Sequence, residues 1–249
     1  MASLPPASSG PGFPSRERRC RAYARRVRRA SPIRAAALLC TGALLGACLG
    51  SPSGRGEADP YLVPSEVDLH EIAPARNGDG TINVLVEIPA GTCDKWEVAA
   101  DGKLRWELRD GRPRVVRYLG YPGNYGMIPR TLLPEEDGGD GDPLDVLLLG
   151  PAVERGALVA AHLIGVLTML DGGERDDKLL AVQGGTPFEG VRDLPELEAD
   201  FPGVTAILAT WFASYKGPGE VEVSGFHGAR RAAEILDGAE RAYASRRTR

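Results

Sequence analysis

From residue 82 to residue 183, apolar positions come in short bursts separated by Gly, Asp and Pro. INVLVEIP (82–89) is a near-continuous apolar run that stops at Pro89. KWEVA (95–99) and KLRWELR (103–109) alternate about a turn at Asp101-Gly102, the pattern of a hairpin. Asp110-Gly111 turns the chain again into PRVVRYLGY, and LDVLLLG (144–150), ALVAAHLIGVLTMLD (157–171) and KLLAVQ (178–183) follow. Many short strands with Gly-rich turns predict a closed or nearly closed barrel.

The period then lengthens. LPELEADF (194–201) and VTAILATWFASYK (204–216) place apolar residues at helical spacing, with Ile207, Trp211 and Tyr215 expected on one face. EVEVSGF (220–226) returns to strand. ARRAAEILDGAERAYASRR (229–247) reads as a helix ending in Arg, where the dipole favours cations. The expected architecture is α+β, a small β-barrel flanked by helices, in one domain spanning 62–249.

Charge divides the 249-residue chain in two. Residues 1–34 carry nine Arg and one acid, Glu17, whereas residues 49–249 hold 21 basic and 33 acidic residues. A body this acidic is a poor partner for nucleic acid, whose phosphates are held by Lys and Arg. Any phosphate compound it binds must come with cations or find them in the site.

The basic head precedes an uncharged stretch, AAALLCTGALLGAC, of 14 residues (35–48). A bilayer span takes roughly 20 residues, so this matches the apolar region of a signal peptide instead. It ends in Leu45-Gly46-Ala47-Cys48, which resembles a bacterial lipobox with Cys48 as the lipidated residue. Residues 1–48 are therefore expected to be a signal with a lipobox, and 49–61 a Gly, Ser and Pro-rich tether. The expected location is exported and membrane-anchored, facing the periplasm or cell exterior. A plain signal peptide or an amphipathic anchor is the alternative. Only Cys93 remains in the body, so no intrachain disulfide is possible there.

Chemistry concentrates in a few stretches. DGDPLDVLLLG places Asp140, Asp142 and Asp145 at spacings of two and three. In extended chain, with a rise of ~3.3 Å per residue, Asp140 and Asp142 share a side, and Pro143 bends Asp145 back towards it. Hard cations such as Mg²⁺ take oxygen ligands and keep several waters, so a few carboxylates suffice. An exposed acidic turn would also explain the run. A calcium loop of EF-hand type would not, because its fifth and sixth positions are Leu144 and Asp145. MLDGGERDDKLLAV adds Asp171, Asp176 and Lys178, with Gly172 and Gly173 permitting a tight turn. VEIPAGTCDKWEV adds Glu87, Lys95 and Glu97, YPGNYGMIP adds Tyr121 and Tyr125, and SYKG adds Tyr215 and Lys216. Taken singly, these could be salt bridges on a wet sheet face and half-buried core tyrosines.

As a set, EIPAG, K-W-E, YPGNYG, DGDPLDVL, D-x4-D-x-K and the late Tyr-Lys resemble, in order, the soluble Mg²⁺-dependent inorganic pyrophosphatases of the single-domain barrel type. The resemblance covers about residues 80–240. It implies a closed five-stranded OB-like barrel with helices, hydrolysis of pyrophosphate to two phosphates, several Mg²⁺ ions per site, and a homo-oligomer. Matched residue by residue, Asp140, Asp145 and Asp176 resemble ligands of a first metal, with Asp145 shared by a second. Asp171 and Asp176 resemble ligands of a metal arriving with substrate, and Glu97 resembles a contact to a further one through water. Asp142 corresponds to the proton acceptor. Lys95 and Tyr125 correspond to ligands of the attacked phosphoryl group, and Tyr215, Lys216 and an arginine to holders of the leaving phosphate. Glu87, Tyr121 and Lys178 fall on supporting positions.

For the arginine, counting forward from Glu97 points to Arg109, the favoured choice. Counting back from Tyr121 points to Pro113, and Arg105, Arg112, Arg114 and Arg117 lie nearby. No Ser, Cys or His nucleophile stands out, and His70, His162 and His227 lie outside the motifs. Two rival functions are a metal phosphohydrolase acting on nucleotides or polyphosphate, and a metal-binding lipoprotein without turnover.

Overall fold

The apolar bursts become strands in the computed structural model, which describes residues 59–134, 139 and 141–247. The tail elements expected within residues 1–58, Cys48 included, lie outside the described residues, as does Asp140. In chain order the strands are β1 (Ile82–Ile88), β2 (Trp96–Val98), β3 (Leu104–Trp106), β4 (Leu108–Arg109), β5 (Arg112–Pro113) and β6 (Asn124–Met127). They continue with β7 (Asp145–Leu149), β8 (Leu158–Asp171), β9 (Glu174–Arg175), β10 (Lys178–Gln183) and β11 (Val221–Gly228). The helices are α1 (Leu194–Asp200), α2 (Val204–Ser214) and α3 (Ala229–Arg247).

Strands β1, β6, β7, β10 and β8 pair in that order, and β8 pairs back to β1. That last ladder closes a five-stranded barrel with helices around it, the expected α+β architecture. All seven residues of β1 are buried, which is why its sequence lacks alternation. The expected hairpin is also present, with Trp96 opposite Trp106 and Glu97 opposite Arg105. Among the described residues only β7 and β10 run parallel, with Val146 opposite Leu179.

Both sides of β7 are covered. Leu147 and Leu149 join a cluster with Leu167, Leu180 and, from α2, Leu208, Trp211 and Phe212. Val146 and Leu148 join another with Val84, Val86, Leu179 and, from α3, Ala232, Leu236 and Ala239. Each fully buried Leu or Val contributes roughly 1.5–3 kcal/mol, so these helices are held by packing rather than by intrinsic propensity. One carboxylate ties the helical layer together: Asp193 caps α1 by accepting from the Leu194 amide and also accepts from the Ala229 amide at the start of α3.

One expected face differs. On α2 the buried stripe is Leu208, Trp211 and Phe212, whereas Ile207 is 62% exposed. Apolar residues occur nearly all round this helix, so local spacing does not reveal which stripe the barrel covers.

Candidate active site

The two-fold interruption of the apolar pattern in β1 marks where the site begins. Glu87 stands between Val86 and Ile88, where the register against β6 shifts, and a bulge of this kind re-aims a side chain. Its carboxyl is buried and accepts a hydrogen bond from the Val98 amide at 2.7 Å, joining β1 to β2. The sheet is tight here. A Cβ on Gly126 would stand 1.9 Å from the Leu85 carbonyl oxygen, so the second glycine of YPGNYG is required for β6 to approach β1.

Across the barrel, the parallel ladder places the first residue of β10, Lys178, beside the first residue of β7, Asp145. Their ion pair forms there, and a second joins Lys178 to Asp176. Asp171 ends β8, and the turn to Asp176 uses Gly172 at φ 58° and Gly173 at φ 92°, as the sequence predicts. Asp171 pairs with Lys216, just beyond α2. Lys95 lies 3.4 Å from Glu97, its i+2 neighbour on the same strand face.

These groups line one cavity of about 420 Å³. Of the residues singled out in the sequence, Glu87, Lys95, Glu97, Tyr125, Asp142, Asp145, Asp171, Asp176, Lys178, Tyr215 and Lys216 meet there. Tyr121 does not line it. Its ring is buried behind Tyr125 at 5.3 Å and against Trp211 at 4.6 Å. Trp211 in turn stacks on Tyr215 at 4.7 Å, so an aromatic row fixes both lining tyrosines to the helical layer. No histidine lines the cavity.

Among the arginines, Arg109 lines an adjoining cavity, and Arg114 reaches both. The reason is the backbone: the Lys95 amide donates to the Arg114 carbonyl, and the Arg114 amide donates to the Glu107 carbonyl, so Arg114 is tied to both segments. Its guanidinium is held by Glu107 at 2.6 and 2.9 Å. Asn124 is a further residue that motif reading passed over. Fully buried, it accepts from the Ala90 and Val153 amides and donates to the Pro151 carbonyl, fastening two loops beside the site.

Six carboxyl groups and four cations line the cavity, and burial sets them against one another. Glu87 is pushed up to about 8 by burial, with Asp145 and Glu97 adding repulsion. Burial also opposes charge on Asp145, but Lys178, Lys95 and a hydrogen bond from Tyr125 outweigh it, and its pKa is lowered. Asp176 is raised by burial and by Asp145. Lys178 would lose its proton more easily for being buried, yet Asp145 and Asp176 raise its pKa. Tyr125 is raised well above its ordinary value by burial and by Asp145, so its hydroxyl stays a donor.

All the acidic donors are carboxylate oxygens, and no thiol or imidazole joins them. This set fits a hard divalent cation such as Mg²⁺, which needs few protein ligands and completes its shell with water and phosphate oxygens. Among the described residues no three such side chains are already gathered about one point. Instead the Lys178 and Lys216 ammonium groups lie against Asp145, Asp176 and Asp171, positive charge standing where the carboxylates require it.

The chain is also similar to known proteins. A family model described as inorganic pyrophosphatase matches residues 84–244. Soluble inorganic pyrophosphatase 2 of Chlamydomonas reinhardtii is 37% identical over 172 residues, 67% of this chain and 83% of that protein. The chloroplastic soluble inorganic pyrophosphatase 1 of the same alga is 36% identical over 163 residues, 60% of this chain but only 57% of its own length. Among solved structures, the type I inorganic pyrophosphatase of Toxoplasma gondii superposes with a TM-score of 0.66 at 27% identity, covering 70% of this chain and 86% of that one.

Proposed function

The chain belongs to the inorganic pyrophosphatase family, and from that premise we propose that it hydrolyses pyrophosphate to two orthophosphates in the carboxylate cavity, with Mg²⁺ ions bound. The observation that carries the reading is the meeting of eleven motif residues, drawn from distant parts of the chain, around one cavity that mixes carboxylates with lysines. Asp145, Asp171, Asp176 and Glu97, together with Asp140, are the proposed metal ligands. Mg²⁺ held by these residues would neutralise the substrate's charge and make a water beside it more acidic than bulk water.

The protein groups divide the remaining work. Asp142, exposed at the cavity mouth, accepts the proton from the attacking water. Lys95 and the Tyr125 hydroxyl hold the phosphoryl group under attack, with the ammonium 5.6 Å from the tyrosine ring centre. Tyr215, Lys216 and an arginine hold the departing phosphate. Arg114 has the better position for that arginine than Arg109, because Arg109 shares only the adjoining cavity with Tyr215 and Lys216, whereas Arg114 also lines the carboxylate cavity. Lys178 keeps Asp145 and Asp176 facing the cavity, and Glu87 stiffens the join of β1 and β2. The carboxylates alone would repel pyrophosphate, and preorganised cations reverse that sign without reorganisation during the reaction.

The test is direct. The purified full chain is expected to release phosphate from pyrophosphate with Mg²⁺ and to stop in EDTA. Full activity in EDTA, or no release under any metal condition, overturns the proposal.

Export and anchoring belong to the same proposal. Their support is the order of basic head, apolar stretch and lipobox ending at Cys48, all of it outside the described residues. Radiolabelled palmitate is expected to enter the wild-type chain in a bacterial host and to be lost in Cys48→Ala. Label retained by the variant, or absent from the wild type, removes the anchor.

A further inference from the structure

Two of the cavity's residues, Lys95 and Glu97, flank or belong to a strand that no ladder fixes to the barrel. Strand β2 is three residues long and pairs with β3 alone, in a two-stranded sheet separate from β1. One half-buried side chain outside the cavity bridges the gap. Arg155 lies on the loop between β7 and β8, where the Gly156 amide donates to the Val86 carbonyl at 2.7 Å and holds the loop beside the β1 bulge. The register from β1 to β6 passes from Val86 to Ile88 and skips Glu87. The carbonyl of that skipped residue accepts from the Arg155 Nε at 3.0 Å, a charged donor at an irregular step of the sheet.

The same guanidinium reaches β2. Its Cζ stands 4.2 Å from the centre of the Trp96 ring, and its Nη2 lies 3.9 Å from the Asp94 carboxylate. Trp96 is buried and also stacks on Trp106 at 5.5 Å. Successive side chains of a strand point to opposite faces, so Trp96 faces away from the cavity that Lys95 and Glu97 line. Arg155 therefore grips β2 from behind. A second join is the bond from the Val98 amide to the Glu87 carboxyl. Lys95 and Glu97 fall between the two joins, and both joins end on Glu87.

We infer that Arg155 is a positioning residue for the reaction, clamping β2 to β1 so that Lys95 and Glu97 meet the rest of the cavity in one fixed geometry. This rests on the pyrophosphate reading, in which Lys95 holds the phosphoryl group under attack and Glu97 a metal ion. Arg155 lines neither the carboxylate cavity nor the adjoining one, so it acts through the strand and not on the substrate. The leverage is large, because a displacement of about 1 Å in a group that orients substrate can cost about 10²-fold in rate. Lysine is an incomplete substitute. Its single ammonium cannot donate to the Glu87 carbonyl and lie over the Trp96 ring together, whereas a planar guanidinium does both at once.

The full chain is to be compared with Arg155→Met, which keeps an apolar stem, and with Arg155→Lys. Backbone hydrogen exchange, without metal or substrate, reads the clamp itself. In Arg155→Met the Lys95 and Val98 amides are expected to exchange at least about ten-fold faster, through local opening of β2. The amides of Leu180 and Ala181, buried in β10, should keep their wild-type rates. With Mg²⁺ and pyrophosphate, kcat is expected to fall about ten-fold in the same variant. Arg155→Lys should lie between in both measurements. Unchanged exchange in β2 overturns the clamp, and so does equal acceleration in β2 and β10, which is a general loss of stability. A looser β2 with kcat unchanged overturns the positioning role. A wild type that releases no phosphate overturns the pyrophosphate reading and the part of Arg155 in turnover, while the exchange rates still decide whether it holds β2.

Discussion

Asp142→Asn is expected to slow phosphate release from pyrophosphate by about 10²–10⁴-fold while leaving the fold in place, the range for losing a positioned general base. The substitution exchanges one oxygen for an NH₂ group, so the shape of the cavity mouth is kept. The local turn does not depend on the carboxylate's charge alone, because the Asp142 backbone carbonyl accepts from the Leu133 amide and the next residues, Pro143 and Leu144, run into the core. What the amide cannot do is take a proton from water. The measurement is kcat on pyrophosphate at saturating Mg²⁺, beside a urea unfolding curve for each protein. An unchanged midpoint with a collapsed kcat is the expected pair of results. A variant as fast as the wild type removes Asp142 from the mechanism.

The largest stability effect is expected at Lys178. Its side chain is 4% exposed and bridges Asp145 and Asp176, which are 29% and 24% exposed. Lys178→Met keeps the length and apolar bulk of the stem but leaves two partly buried carboxylates without their cation. Removing one partner of a buried ion pair costs about 3–5 kcal/mol, and the partial exposure of both aspartates puts the expected loss near 3 kcal/mol. Divalent metal should restore part of it, because an ion bound by those carboxylates stabilises the folded state through mass action. Urea unfolding in EDTA and in Mg²⁺ separates the terms. A variant as stable as wild type in EDTA shows that the ammonium is not needed to hold the two acids. A loss that Mg²⁺ does not reduce shows that they are not metal ligands.

Several elements were legible because their signals are local. The alternation of KWEVA and KLRWELR about Asp101-Gly102 became the antiparallel pair β2 and β3. The acidic turn with Gly172 and Gly173 adopted the left-handed backbone that only glycine takes readily. Eleven of the residues singled out by their motifs line the one cavity.

What was not legible depends on partners far along the chain. A helix as apolar as Val204–Ser214 could bury either of two adjacent stripes, and only the barrel beneath it selected Leu208, Trp211 and Phe212 over Ile207. Counting along a hairpin with inserted residues favours Arg109, whereas the carboxylate cavity is lined by Arg114. Backbone bonds tie Arg114 to both Lys95 and Glu107, and Arg114 lines the cavity. Tyr121 was expected with the site residues for its motif, but stands behind Tyr125 in the aromatic row.

The sequence by itself therefore determined the strand and helix pattern, the residue types of the chemistry and the need for cations in an acidic body. Periodicity, turn propensity and charge are properties of short segments, so they can be read without knowing what packs on them. The tertiary structure alone decided the bulge that turns Glu87 inward and the parallel ladder that joins Lys178 to Asp145. Those features arise where segments distant in sequence compete for the same space, and the packing that settles the competition has no local signature.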